Sequence, residues 1–65
     1  MVYKIIDIVG TSDKHFSDAA KNAVEEAAKT VRNIKRAEVV KLDVKVENDK
    51  VVKYRAELHI AFEIE

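Results

Sequence analysis

Four cationic side chains, Arg36, Lys41, Lys45 and Arg55, stand on two long runs of apolar residues in the C-terminal half of the chain. Guanidinium and ammonium groups set in rows are suited to phosphate-bearing ligands, Arg as a two-pronged donor and Lys as a point charge. Arg36 and Arg55 fall near opposite ends of paired strands, so one copy of the chain does not have to bring them together. Symmetry-related copies would let them converge on one anion. The competing expectation is that they pair with Glu38, Glu57 or Glu63 across strands or interfaces. The balance of 12 bases and 12 acids favours that pairing.

The remaining reactive side chains are sparse. His59 alternates with Glu57 and Ala61 along one strand face. It has no partner at ligand spacing within the chain, so a metal or proton site there would need copies gathered by a symmetric assembly. His15 falls at the start of a helical pattern, where exposure is expected. Asp43, Glu47 and Asp49 flank a turn without following the Asp-x-Asp-x-Asp-Gly calcium loop. There is no cysteine, no Ser-His pair in an elbow motif and no Gly-rich phosphate loop, so no enzymatic activity is expected. Tyr3 and Tyr54 read as packed aromatics. Lys and Arg are spread over strands and helix alike, and the two phenylalanines read as core, so nucleic acid is not an expected partner.

These residues are carried by a β-α-β-β order. Val2 to Val9 reads as a first strand, ended by Gly10-Thr11-Ser12, where Gly10 can take positive φ cheaply. Ser12 and Asp13 are the expected caps of a helix. Its apolar stripe is Phe16, Ala20, Ala23, Val24, Ala27, Val31 and Ile34, with Asn33 as its stop. Lys35 opens a second strand, whose Val40, Leu42, Val44 and Val46 alternate with Val39, Lys41, Asp43, Lys45 and Glu47. Asn48-Asp49 tolerates a left-handed turn and joins it to a third strand as a hairpin. On that third strand, Val52, Tyr54, Ala56, Leu58, Ile60, Phe62 and Ile64 share one face, and Lys53, Arg55, Glu57, His59, Ala61 and Glu63 share the other. Strands one and two run the same way and strand three opposes them. An all-antiparallel sheet therefore requires the spatial order 1-3-2, giving an α+β domain with the sheet closed over one helix.

At 65 residues the chain is expected to form one domain, residues 1–65, near the lower limit for unaided folding. The absence of cysteine fits a cytoplasmic setting. Zero net charge gives no global field toward nucleic acid or membrane. Met1 opens into a strand pattern with no signal-peptide character, and no apolar stretch approaches the roughly 20 residues of a membrane span. A strand of about thirteen residues reaches about 43 Å, whereas a helix of about eighteen covers only about 27 Å. The helix-free face, carrying Ile5, Val9, Ala37, Val39 and Ala61, is also rather apolar. The expectation is a homo-oligomer whose sheets cover one another.

Val2-Tyr3-Lys4, then Gly10-Thr11-Ser12 before a helix near Phe16, Ala37-Glu38-Val39-Val40 on strand two and Ala61-Phe62-Glu63 near the end together resemble the dodecins over nearly the whole chain. The resemblance implies a three-stranded antiparallel sheet wrapped around one helix, a hollow homo-dodecamer, and the binding and storage of flavin, riboflavin or FMN. In the family, flavin rings stack on a tryptophan at the start of strand two and are hydrogen-bonded by a glutamine on strand three. Those places are held here by Arg36 and Arg55, and an acidic place of some members by Lys41. The cofactor-binding positions implied are Arg36, Arg55, Lys41 and Lys45, by position and not by identity, with no metal ligands assigned. The alternative is a shell that has lost flavin and binds a phosphorylated anion such as coenzyme A, or calcium, or is purely structural.

Overall fold

The computed structural model describes residues 1–64. Strand β1 (Val2–Ser12) is followed by helix α1 (Phe16–Ala27) and the hairpin of β2 (Ile34–Glu47) and β3 (Lys50–Ile64). The sheet order is β1-β3-β2, with both neighbours of β3 antiparallel, as expected. The hairpin closes through Asn48 at φ 53° and Asp49 at φ 62°. Two consecutive left-handed residues form the turn whose twist matches that of the flanking strands.

The helix lies across one face of the sheet. Ala19, Ala23 and Ala27 form a buried cluster with Ala56, Leu58 and Ile60 of β3, against which Ile6, Ile8, Ala20, Val24 and Ile34 pack. Alanines on the inner helix face allow close approach, and Gly10 completes it. A Cβ added at Gly10 would strike the Ala19 carbonyl oxygen and stand 2.7 Å from Ala23 Cβ and 2.9 Å from Ala23 N. Gly10 does not take positive φ, contrary to the sequence expectation. It is needed because the helix backbone passes where a side chain would be.

The helix is also shorter than expected and differently capped. It has 12 residues, so Val31 and Ile34 lie outside it. After Ala27 the bonding tightens, with Lys29 N donating to Glu26 O and Thr30 N to Ala27 O, a pattern typical of a helix's last turn. The chain then reverses at Asn33, which takes φ 64°, a conformation that Asn tolerates. At the other end, neither Ser12 nor Asp13 is the cap. His15 Nδ1 accepts from Asp18 N at 3.1 Å and from Ser17 Oγ at 2.9 Å. Buried Ser12 fastens strand to helix instead, its Oγ donating to Asp18 Oδ2 at 2.9 Å and accepting from Lys14 N at 3.0 Å.

The molecule measures 48 × 19 × 14 Å. A helix of this length covers about 18 Å, so the sheet overhangs it by more than the sequence implied. Among the described residues, only Leu58 and Ile60 are fully buried large side chains, while Val39, Val40, Leu42, Val46, Val51 and Val52 are exposed. Tyr3, expected to be packed, is 53% exposed, whereas Tyr54 meets Phe16 edge-to-face with centroids 5.1 Å apart.

Candidate functional site

Register decides which side chains meet on the helix-free face. Two-residue alternation carries Arg55, Glu57, His59 and Ala61 of β3 onto that face, each flanked by a residue of β1 and one of β2. Arg55 lies between Thr11 and Asp43, Glu57 between Val9 and Lys41, His59 between Asp7 and Glu38, and Ala61 between Ile5 and Arg36. The β2–β3 register shifts at three places, Ile34/Arg36, Val39/Lys41 and Lys45/Val46. Each inserts an extra residue and changes which face the following residues occupy. Ala37 and Val39 therefore stand opposite Ile60 and Leu58, on the helix side, and not on the helix-free face where simple alternation put them.

The shift near the turn also creates the main polar contact. Counting back from Glu47 opposite Lys50 without a bulge would set Asp43 against Tyr54; the extra residue in β3 sets it against Arg55. Arg55 Nε donates to Asp43 Oδ1 at 2.6 Å. That hydrogen bond first, and the Asp43 charge second, hold the Arg55 pKa above its ordinary value. Arg55 is thus paired, but with Asp43 and not with Glu38, Glu57 or Glu63. Asp43, which the sequence placed only at a solvated turn, meets Arg55 because of the bulge between Lys45 and Val46, which carries no sequence signature of its own.

Arg55 and Lys41 share a shallow depression of about 180 Å³ with Val9, Asp43 and Glu57. Two cations face two carboxylates there, so the local charge balances. The other two expected site residues lie elsewhere. Lys45 approaches Glu47 at 3.5 Å, and Arg36 stands opposite Ala61. Arg36's partner Ala61 lies six positions from Arg55 on β3, about 20 Å along an extended strand. Within one chain Arg36 and Arg55 do not converge, in keeping with the sequence expectation.

A second group lies one row away, where Asp7, Glu57 and His59 bring one ligand atom each to within 4.8 Å of one another. Nothing in the sequence of the first strand singles out Asp7 as a site residue. It joins His59, 52 positions further along the sequence, because β1 pairs with β3, and no local pattern reports that.

These residues do not reproduce the family's flavin contacts. An aromatic stacking wall is missing at Arg36, where an exposed guanidinium stands, and Arg55 cannot present the amide pair of a glutamine. Among the described residues of this face, none supplies the ring sandwich that the resemblance implies. Among the described residues, no helix is long and apolar enough to cross a membrane.

The Dodecin family model matches residues 2–65. The calcium dodecin of Mycobacterium tuberculosis is 38% identical over 63 residues, spanning 97% of this chain and 89% of that protein. A solved structure of this calcium dodecin, described as having a novel calcium-binding site, superposes with a TM-score of 0.88 at 37% identity, covering 100% of this chain and 93% of the other. Dodecin from Streptomyces coelicolor superposes at 0.94 with 30% identity, covering 98% and 91%. That from Streptomyces davaonensis gives 0.94 with 25% identity, covering 98% and 94%. With the same strand order, the same single helix and a match over nearly its full length, this chain belongs to the dodecin family.

Proposed function

We propose that this chain is the subunit of a homo-oligomeric, non-enzymatic small-ligand store of the cytoplasm, a dodecamer by family likeness. Its ligand would be read by charge, through a phosphate, more than by ring stacking. The observation that carries this reading is the depression framed by Lys41 and Arg55, of which Arg55 holds the position that the resemblance gives to the family's glutamine. Lys41 makes no ion pair among the described residues, and Arg36 also stands exposed. Copies of these two cations brought together by symmetry suit a phosphorylated ligand such as FMN or coenzyme A. The exposed apolar residues of the overhanging hairpin supply the contact surface for assembly.

Parallel titrations of the assembly with FMN and riboflavin, followed by quenching of flavin fluorescence, test the reading. FMN should bind more tightly, and added salt should weaken it. Equal affinity for riboflavin, or no binding of FMN or coenzyme A at micromolar concentration, would overturn the phosphate assignment.

A second reading, calcium, is favoured by the name of the 38% identical relative and by Asp43 and Glu57 in the same depression. Calcium takes about six to eight oxygen ligands, so two carboxylates from one chain require others from its copies. Native mass spectrometry of the assembly with and without calcium separates the two readings.

A further inference from the structure

The helix-free face carries a group of a different chemical kind from the Lys41–Arg55 depression. Asp7 on β1 and His59 on β3 are register partners, and Glu57 precedes His59 by two residues on the same face. One ligand atom from each lies within 4.8 Å of the others. On the other side of His59, the register places Glu38 of β2. The centre of the sheet therefore gathers one imidazole and three carboxylates from all three strands. Arg36 and Lys41 occupy the adjoining rows of β2, yet no ion pair joins them to Asp7, Glu38 or Glu57 among the described residues. Neighbouring cations thus leave this negative charge unclaimed.

We propose that Asp7, Glu57 and His59 form a binding site for a first-row transition-metal ion of the zinc class, with Glu38 as a supporting acceptor. The ligand types select the metal. Calcium prefers an all-oxygen shell, whereas imidazole suits zinc, nickel, copper and iron. Zinc bonds of about 2.0–2.2 Å to nitrogen and oxygen place neighbouring ligand atoms roughly 3 to 3.5 Å apart. The ligand atoms already lie within 4.8 Å of one another, with Asp7 exposed and Glu57 and His59 half-buried, so side-chain rotation is the movement that would bring them to that spacing. The backbone positions are already fixed by strand pairing, so binding does not require the chain to reorganise. Three protein ligands leave at least one coordination position for water or for a group from another copy.

Glu57 borders the Lys41–Arg55 depression as well, whereas Asp7 and His59 do not line it, so replacements at Asp7 and His59 separate this site from the phosphate reading. The test uses the untagged assembly, stripped with a chelator and titrated calorimetrically with zinc, cobalt(II) and calcium. Zinc should bind at micromolar concentration, one per chain and more tightly than calcium. Cobalt(II) should develop the visible absorption of a site with imidazole nitrogen. Replacing His59→Gln should weaken zinc binding by about tenfold or more, and Asp7→Asn, at an exposed position, should also weaken it. His15→Gln, at the only other histidine, should leave it unchanged. If His59→Gln perturbs assembly, Asp7→Asn and the His15→Gln control still decide the matter. Absence of zinc binding, tighter binding of calcium, or unchanged zinc affinity in Asp7→Asn would overturn the proposal.

Discussion

Arg55 is held by Asp43, and the pairing bears on any ligand that must use the guanidinium. In Asp43→Ala, Arg55 is released and one negative charge leaves the depression, so FMN affinity should rise several-fold at low salt; fluorescence titration reads this directly. The Arg55 pKa is raised by its partner. A raised value means that the contribution is present below the unfolded-state pKa and lost only as pH rises through the folded value. For arginine that window is strongly alkaline, so Arg55 does not make binding pH-dependent near neutrality. The double replacement Arg36→Trp with Arg55→Gln restores the residue types of the family's flavin contacts. Riboflavin affinity should then increase over the parent, and an unchanged affinity would mean that the rest of the pocket has diverged too. Gly10 is the other residue with a single physical demand. In Gly10→Ala the new methyl meets the helix backbone, which cannot rotate away, and stability should fall by more than about 2 kcal/mol, measured by thermal or denaturant unfolding.

At the scale of elements, the hairpin contributes most to both shape and site. Its turn uses Asn48 and Asp49 in left-handed conformations, where Asn-Gly is the preferred pair. Asp49→Gly relieves the steric cost of that conformation, though glycine also loses more chain entropy on folding. The net effect should be a stabilisation of roughly 0.5 kcal/mol, visible as a small rise in melting temperature without change in ligand binding. The helix works differently. Its buried face is alanine, so it contributes close packing more than apolar volume, and Leu58 and Ile60 supply most of what is fully buried. Fully burying a side chain of that size is worth about 1.5–3 kcal/mol. Two of them make a slender core for a chain of this length.

That slender core and the exposed hairpin belong to one molecular fact. An extent of 48 Å under a helix of 12 residues leaves strand surface that one chain cannot cover. Leu42 lies on that surface at 51% exposure, opposite Ala56 and on the helix side of the sheet. In Leu42→Lys the charge would be buried between copies, and sedimentation should show smaller species, with a lowered melting temperature because stability and assembly are linked. An unaltered assembly would place the subunit contacts elsewhere.

The sequence by itself determined the β-α-β-β order, the turn at Asn48-Asp49 and the spatial order 1-3-2. Alternation, helical spacing and chain direction are local properties, and together they admit one all-antiparallel arrangement. It also carried the family likeness and the departures from it at Arg36 and Arg55. The tertiary structure decided the rest. Three bulges, each a single residue without its own sequence signature, moved Ala37 and Val39 to the helix side and set Asp43 against Arg55. The close passage of the helix over Gly10 turned an expected turn residue into a packing requirement. The tightened bonding after Ala27 and the reversal at Asn33 ended the helix that periodicity had extended to Ile34. Asp7 joined His59 through pairing between the first and last strands, a contact fixed by register over nearly the whole chain and therefore invisible to any local pattern.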